Sequence, residues 1–375
     1  MAKKILFVTG TRADFGKMKT LIKTVEESPL FEYSIFVTGM HTLSRYGYTV
    51  DEINDAGFAN IHIYMNQFHG EPMDFILANT INGFSRYVKE YQPDLVVLHG
   101  DRVEALAAAI VGSLNNIRVA HIEGGELSGT IDGTLRHAIS KLSHLHLAAN
   151  EKAAERLKQM GEDPKSIFVI GSPDIDIMLH KNLPDIDRIK RHYGIDFNTY
   201  AIALLHPVTT ELSSLHEKAE VFVSALVESQ QDFIVIYPNN DEGCNDIFKA
   251  YNRFKGNKHF RLYPSIRFEY FLTLLKNAEY IIGNSSAGIR EAPVYGKYSI
   301  NVGSRQNERF IYHTILNVDF NQHDILAAIS GLKNMPIPTN CYAFGDGNSA
   351  RKFREMLEGE EIWQYPIQKQ FYDLN

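Results

Sequence analysis

The segment 282–291 holds the densest set of residues that can bind or react with a ligand, and it reads Ile-Gly-Asn-Ser-Ser-Ala-Gly-Ile-Arg-Glu. Gly283 permits a tight turn after an apolar, strand-like run, and the small side chains of Ser285 and Ser286 leave backbone N–H groups exposed. If a helix begins here, its N–H donors and the positive end of its dipole face an anion, and a diphosphate is the expected ligand. The Glu291 carboxylate would repel phosphate, so we expect it to accept hydrogen bonds from hydroxyl groups such as a ribose diol. The alternative is an ordinary helix with a serine N-cap.

A second loop suited to phosphate follows the first apolar run and reads Gly-Thr-Arg-Ala-Asp-Phe-Gly-Lys over residues 10–17. Arg12 and Lys17 can approach phosphate oxygens, and the Arg guanidinium presents several donors at once. The loop matches neither the Rossmann fingerprint nor the Walker motif. The alternative is a surface turn with solvated charges.

Three carboxylates follow neighbouring strand-like runs of the first half. Asp101 comes after the apolar run 94–98, Glu123 comes after 118–121, and Asp132 follows shortly on a helical stretch that also carries Arg136. Carboxylates that converge and are partly desolvated can have raised pKa values, which suits removal or donation of a proton. The alternative is that the aspartates cap helices and that Glu123 forms an ion pair.

Two basic residues end strands of the second half. His206 closes the strand that begins near residue 200 and can donate a hydrogen bond to a phosphate of a leaving group, although packing against the next helix is the alternative. Arg305 stands at another strand end, where it can contact a base or its phosphates. His41 and Arg45 follow the second strand and are weaker candidates.

A metal site and a nucleophilic serine find less support in the sequence. His99 with Asp101, or His121 with Glu123, could supply ligands to a metal ion, but no H-E-x-x-H motif or comparable ligand spacing occurs. The nucleophile elbow G-x-S-x-G is also absent. We therefore expect neither a metal ion nor another cofactor.

Composition limits the class of protein. With 375 residues, of which 44% are hydrophobic and 22% charged, the chain suits two globular domains. A net charge of −7 argues against nucleic acid or an anionic membrane as a general partner. Only Cys244 and Cys341 are present, which fits a reducing cytosol, and no apolar stretch reaches membrane-spanning length. We expect a cytoplasmic protein.

Short apolar strands alternate with amphipathic helices, which predicts parallel sheets covered by helices. The predicted strands are 4–9, 33–38, 94–98, 118–121, 145–148, 200–205, 233–237, 260–262, 279–282 and 298–302. The predicted helices of the first half are 15–27, 72–90, 102–114, 132–142 and 151–159. Ligands bind beyond the carboxyl ends of such strands, where the polar clusters stand. The prediction is an α/β protein of two doubly wound parallel-sheet domains, 1–172 and 173–355, that face each other across a cleft. A tail, 356–375, is expected to pack back on the first domain.

Several motifs together resemble one family. They are, in chain order, Gly10-Thr11-Arg12, His99-Gly100-Asp101, His121-Ile122-Glu123-Gly124-Gly125, His206-Pro207 and Gly283-Asn284-Ser285-Ser286 with Glu291. Their order resembles that of UDP-N-acetylglucosamine 2-epimerases, from about residue 3 to residue 310. The segment 10–17 resembles the hydrolysing branch of sialic-acid and capsule pathways, since the other branch has Pro and Glu where this chain has Ala13 and Asp14. The segments 122–130 and 171–174 also resemble the hydrolysing branch.

The resemblance implies a GT-B fold and conversion of UDP-N-acetylglucosamine and water to N-acetylmannosamine and UDP, by elimination to 2-acetamidoglucal and then hydration. By position, the acid/base carboxylates are Asp101, Glu123 and Asp132, and the residue on the phosphate side is His206. The positions that correspond to nucleotide binding are Arg12, Ser285, Ser286, Glu291 and Arg305. The resemblance also implies a homo-oligomer, either a dimer or a tetramer.

Three other functions stay open at this point. The first is the same reaction on another sugar nucleotide, GDP-linked or 2,4-diacetamido. The second is a GT-B glycosyltransferase, for which three acids in the first domain are not required. The third is a sensor that binds a nucleotide sugar without turnover, which would have little use for those acids. The residue that removes the C2 proton and the number of subunits stay undetermined by the sequence.

Overall fold

The protein is described by a computed structural model over residues 2–128, 130–179, 183–307 and 309–374. The chain forms two compact units. Unit 1 comprises 1–126, 132–180 and 343–375, and unit 2 comprises 127–131 and 181–342. Within the described ranges, no helix combines the length and the apolar character that crossing a membrane requires.

Unit 1 contains a seven-stranded parallel sheet in the order β3-β2-β1-β4-β5-β6-β7. Its strands are β1 (Lys3–Thr9), β2 (Phe31–Val37), β3 (Ile61–Ile63), β4 (Leu95–His99), β5 (Arg118–Ile122), β6 (Leu145–Ala148) and β7 (Ile167–Val169). Its α-helices are α1 (Arg12–Glu26), α2 (Val50–Asp55), α3 (Met73–Tyr91), α4 (Val103–Leu114), α5 (Ile131–Leu142), α6 (Glu151–Gln159), α7 (Pro173–Leu179), and, late in the chain, α14 (Ser349–Glu358) and α15 (Glu361–Gln364). Its 3-10 helices are Gly39–Thr42, Ser44–Tyr46 and Pro164–Ser166.

The central strand β1 shows why this sheet is covered on both faces. Ile5 and Phe7 point to one face and join a core with α1 and α14, whereas Leu6 and Val8 point to the other face and join α3 and α4. Successive side chains of a strand alternate between faces, so a continuous apolar run requires apolar cover on each side. The sequence Ile-Leu-Phe-Val therefore selects a buried central strand.

Unit 2 contains a six-stranded parallel sheet in the order β10-β9-β8-β11-β12-β13. Its strands are β8 (Ala201–Leu204), β9 (Phe233–Ile236), β10 (Phe260–Tyr263), β11 (Tyr280–Gly283), β12 (Tyr298–Val302) and β13 (Ile315–Val318). Its α-helices are α8 (Ile186–Tyr193), α9 (Leu212–Ser229), α10 (Cys244–Tyr251), α11 (Phe268–Asn277), α12 (Glu291–Val294) and α13 (Gln322–Gly331). Its 3-10 helices are Thr209–Glu211, Asn252–Phe254, Ser286–Gly288 and Leu332–Asn334.

The predicted boundary of the second domain, 173–355, differs from the structure at both ends. The segment 173–179 belongs to unit 1, where α7 packs against α1 and α14. Helix α14 also belongs to unit 1, because Phe353 is fully buried in the core beneath β1. Asp176 fixes the start of α14 by accepting hydrogen bonds from Ser349 N (2.9 Å) and Ala350 N (2.7 Å). The tail after α14 lies in the same unit.

Candidate active site

One buried guanidinium contacts two of the three residues predicted as acid/base carboxylates of unit 1. Strands β4 and β5 are neighbours, so the loops that carry Asp101 and Glu123 leave the sheet at the same edge. Arg136 of α5 donates from Nη2 to Asp101 Oδ2 and from Nη1 to the backbone oxygen of Glu123 (2.7 Å). Arg136 is 1% exposed, so its guanidinium is shielded from solvent. The structure thus brings together two loops that are separate in sequence.

The third predicted carboxylate begins the helix that carries this guanidinium. Asp132 lies in the first turn of α5, four residues before Arg136. Residues at this spacing share a helix face. The position of α5 therefore fixes Asp132 and Arg136 together.

The Glu123 side chain is enclosed by polar groups. Ser172 Oγ donates to Oε1, and His99 Nε2 lies 3.0 Å from Oε2. Lys17 Nζ lies 3.6 Å from Oε1 and 3.2 Å from Asp174 Oδ2. Lys17 was predicted as a phosphate contact on a turn, but it is buried inside α1 between two carboxylates, where its ammonium compensates their negative charge.

The backbone at Glu123 adopts an unusual conformation. Its φ of 63° lies in the left-handed region, which residues with a side chain adopt uncommonly. Gly125 follows with a φ of 77°, and a Cβ there would stand 2.3 Å from Ala153 O. Such conformations persist where the surrounding structure imposes them, and they concentrate at functional sites. The sequence Glu-Gly-Gly is thus explained by a turn that directs the Glu123 carboxylate inward.

His121 supports the loop before Asp101 rather than taking part in proton transfer. Burial lowers its pKa to about 3, so the ring is neutral near pH 7. Its Nε2 lies 2.7 Å from the carbonyl oxygen of Gly100, which can only accept, so Nε2 carries the proton. Its Nδ1 then accepts from Ser140 Oγ at 3.0 Å. The imidazole connects the Asp101 loop to α5.

Replacing this histidine is expected to reduce the sensitivity of the fold to acid. The unfolded chain gains a proton at His121 as the pH falls through 6.5, whereas the folded chain does so only near 3, so stability falls with pH across that window. The His121→Gln side chain keeps a donor for Gly100 O and does not titrate. From pH 7 to pH 5, urea unfolding should show the wild type losing about 2 kcal/mol more than this variant. His323→Gln, at a side chain that is 91% exposed, is the control; equal losses in all three proteins would contradict the assignment.

The loop 10–17 is organised by a carboxylate. Thr11 is the N-cap of α1, and Asp14 completes a capping box. Asp14 also accepts hydrogen bonds from Gly10 N (3.0 Å) and Thr11 N (2.8 Å). Helix α1 accordingly begins at Arg12, three residues before the predicted start at 15, and the Arg12 guanidinium pairs with Glu52.

In unit 2, Asn284 connects two strand ends. Gly283 has a φ of 130°, and a Cβ there would stand 1.8 Å from Leu204 O, so only glycine fits between β11 and β8. The Asn284 side chain then accepts from His206 N (2.7 Å) and donates to His206 O (2.8 Å). Asn284 is 1% exposed. Its amide therefore fixes the backbone of His206.

The same asparagine fixes the predicted basic residue of a third loop. Its backbone carbonyl oxygen accepts hydrogen bonds from Arg305 Nη1 (3.3 Å) and Gln306 Nε2 (2.8 Å). The His206 ring is oriented as well, because Nδ1 accepts from Asn239 N at 3.1 Å. The proton of a neutral His206 ring must then lie on Nε2, which makes that nitrogen a donor. The sequence motif contained Asn284, but its role as the connecting residue was not predicted.

The helix expected to begin after β11 is short. The chain forms a 3-10 turn, Ser286–Gly288, and then the four-residue helix α12. Ser285 is the N-cap of the 3-10 turn and accepts from Ala287 N at 3.3 Å. Elements this short have little dipole, so the groups able to meet an anion here are the backbone N–H groups of the serine pair. Glu291 begins α12 and is 4% exposed.

The next question is whether side chains in the described part of the chain come close enough together to bind a metal ion. No group of three or more His, Cys, Asp or Glu residues stands close enough there to hold an ion. The acids around Glu123 are paired with organic cations: Lys17 lies beside Glu123 and Asp174, and Arg136 pairs with Asp101.

A family model described as UDP-N-acetylglucosamine 2-epimerase matches residues 23–358. The chain belongs to this 2-epimerase family. It is 46% identical, over the full length of both chains, to UDP-N-acetylglucosamine 2-epimerase of Neisseria meningitidis serogroup B. It is 35% identical to UDP-N,N'-diacetylbacillosamine 2-epimerase (hydrolyzing) of Legionella pneumophila, over 96% of each chain. It is 33% identical to polysialic acid biosynthesis protein P7 of Escherichia coli, over 88% of this chain and 85% of that one.

Solved structures of 2-epimerases confirm the predicted fold class. The UDP-GlcNAc 2-epimerase of Methanocaldococcus jannaschii, in complex with UDP-GlcNAc and UDP, matches with a TM-score of 0.82 at 20% identity, over 94% of this chain and 99% of that one. A UDP-GlcNAc 2-epimerase of Neisseria meningitidis bound to UDP-GlcNAc matches with a TM-score of 0.80 at 18% identity, over the same fractions. The chain thus has the GT-B-like fold of two doubly wound parallel-sheet units.

Proposed function

We propose that this 2-epimerase is of the hydrolysing type and converts UDP-N-acetylglucosamine and water to N-acetylmannosamine and UDP. The observation that carries the proposal is the buried Arg136, which holds together the Asp101 and Glu123 loops at the carboxyl ends of β4 and β5. The 46% identity to the Neisseria enzyme over the full chain supports the substrate. The 35% identity to a Legionella relative whose name includes "hydrolyzing" supports the type of reaction.

The carboxylates of unit 1 suit a reaction in two steps. In the first step a base removes the proton from C2, and the electron pair of the C2–H bond forms the C1–C2 double bond. The C1–O bond breaks at the same time, and UDP leaves with the electron pair of that bond. In the second step an acid delivers a proton to the opposite face of C2, water adds its hydroxyl to C1, and a carboxylate accepts the proton that this water loses. Removal and return on opposite faces require two acid/base groups, which Asp101, Glu123 and Asp132 supply. Lys17 then serves to balance charge at Glu123.

The network of unit 2 suits the departing diphosphate. The Nε2–H of His206, the guanidinium of Arg305 and the N–H groups of Ser285 and Ser286 are donors for phosphate oxygens. Because Asn284 holds two of the three loops, these donors are positioned before the negative charge develops.

Two further residues complete the proposed nucleotide contacts. The Glu291 carboxylate is assigned to the ribose hydroxyls, since it would repel phosphate. Arg12 at the start of α1 is assigned to the nucleotide, although it pairs with Glu52 in this structure. Binding would then exchange that partner for a phosphate.

A second candidate keeps the chemistry and changes the sugar. The relative from Legionella is named for UDP-N,N'-diacetylbacillosamine, and this chain covers 96% of it at 35% identity. The sugar C4 substituent would distinguish the two substrates, while the acid/base residues would act alike.

Turnover in deuterated water, with a panel of sugar nucleotides, tests the proposal. We expect free N-acetylmannosamine with one deuterium at C2, formed from UDP-N-acetylglucosamine, together with UDP. The same product pattern only from the 2,4-diacetamido sugar nucleotide would support the second candidate. Formation of UDP-N-acetylmannosamine without release of UDP would show that the reaction is not hydrolytic.

A further inference from the structure

The last part of the chain covers the C-terminus of α5, the helix whose first turns hold Asp132 and Arg136. Lys369 Nζ donates to three backbone oxygens there, those of Ser140 (3.0 Å), Lys141 (2.9 Å) and Ser143 (2.7 Å). The last carbonyls of a helix have no partner within the helix and carry the negative end of its dipole. An ammonium at this position satisfies them and stabilises the helix end.

The Lys369 ammonium is fixed from its other side by a buried carboxylate. Glu162 is 0% exposed, forms an ion pair with Lys369 through Oε2 and with Lys141 through Oε1 (2.7 Å), and accepts from His146 Nε2 (2.8 Å). Burial alone would raise the pKa of Glu162, but the hydrogen bond from His146 and the two ammonium groups lower it to about 2. Burial lowers the pKa of Lys369 to about 8, so the ammonium is still the main form at pH 7.

The backbone on both sides of Lys369 is attached to unit 1 as well. Ile367 O lies 3.0 Å from His144 Nε2, and Tyr372 N donates to Gly161 O at 2.9 Å. The Phe371 ring packs over Gly161, where a Cβ would stand 2.3 Å from it. Lys369 is therefore held in place by its own segment and does not reach α5 by chance.

We propose that Lys369 is a positioning residue for the acid/base machinery and acts by fixing α5 along its axis. The inference rests on the proposed function, because it assigns Asp132 and Arg136 to that machinery. Ten residues separate Asp132 from Leu142, which is about 15 Å of helix. A helix of this length moves as one body, so a shift at its C-terminus is a shift at Asp132 and at the Arg136 guanidinium. Misplacement of a reacting group by about 1 Å can cost up to about 100-fold in rate.

The Lys369→Met variant tests the proposal, with Lys158→Met as the matched control because Lys158 forms an exposed ion pair on the neighbouring α6. The active fraction of each protein is determined from the stoichiometry of UDP binding. We expect Lys369→Met to lower kcat about tenfold, with KM and UDP affinity unchanged and with Lys158→Met equal to the wild type. Lys369→Arg keeps the charge and the donors, and should recover most of kcat.

Hydrogen exchange supplies a readout that needs no substrate. In Lys369→Met the amides of α5 should exchange faster, including its first turns, while those of β1 and β4 keep their protection. The proposal would be overturned if Lys369→Met left exchange in α5 unchanged, or if it made α5 exchange faster without lowering kcat. It would also be overturned if Lys369→Met lost protection uniformly and Lys369→Arg did not restore it. If the wild type released no product from UDP-N-acetylglucosamine, the proposed function would fail, and exchange in α5 would still decide whether Lys369 holds the helix.

Discussion

Glu123→Gln is expected to lower kcat by about 10³-fold while changing the affinity for UDP by less than about threefold. The change removes one charge and the capacity to accept a proton but keeps the size of the side chain. Its oxygen can still accept from Ser172 Oγ, and Lys17 keeps Asp174 as an anionic partner at 3.2 Å. The fold should therefore survive. Steady-state release of UDP and calorimetric binding of UDP are the two measurements.

Glu26→Gln is the control for this variant, because it makes the same chemical change on α1 at an exposed residue that accepts from Tyr33 Oη. It should keep full activity. If Glu123→Gln retained more than about a tenth of the wild-type kcat, its carboxylate would not be an acid or base of the reaction. A collapse of UDP affinity in Glu123→Gln would show instead that the nucleotide site and the acid/base site are not separate sets of residues.

Asn284→Ala is expected to weaken binding of UDP roughly 30-fold, or about 2 kcal/mol. The alanine cannot form either hydrogen bond to the His206 backbone, so the His206 loop loses this support, whereas the backbone oxygen that accepts from Arg305 is retained. Leaving buried backbone groups without partners should also lower the free energy of unfolding by about 2 kcal/mol. Calorimetry with UDP and urea unfolding measure the two effects.

Asn66→Ala separates these effects. Asn66 of unit 1 is 2% exposed, accepts from Gly39 N (2.9 Å) and donates to Thr80 Oγ1 (2.7 Å), so its loss removes a similar pair of buried hydrogen bonds. It should cost similar stability and leave UDP affinity unchanged. Equal affinities of Asn284→Ala and the wild type would remove the network around Asn284 from the proposed diphosphate site.

The central strands and the strand-end motifs were predictable because each depends on local sequence. The run Ile5-Leu6-Phe7-Val8 is apolar at every position, which predicts a strand covered on both faces, and the structure places it inside its sheet, between β2 and β4. In a parallel sheet, the loops that follow such strands all lie at the carboxyl ends of the strands. For this reason Asp101 and Glu123 could be grouped before any coordinates were known.

The short edge strands, and the unit to which helix α14 belongs, were not predictable in the same way. Strands β3, β7 and β13 lie at sheet edges, contain three or four residues and are partly exposed, so each is too short for a periodic pattern to be recognised. Helix α14 has a clear amphipathic pattern, which predicts the face that is buried but does not predict the sheet against which that face packs. Its assignment to unit 1 follows from Phe353 filling the core beneath β1.

The sequence by itself determined the two-sheet α/β class, the family and the loops that carry the candidate residues. Only the tertiary structure decided which side chains share a partner. Arg136 joins Asp101 to Glu123, Asn284 joins His206 to Arg305, and Lys369 reaches back 226 residues to Ser143. Spacing along a chain reports the helix and strand periods, whereas a hydrogen bond between distant residues depends on how sheets and helices pack, and no local pattern encodes that.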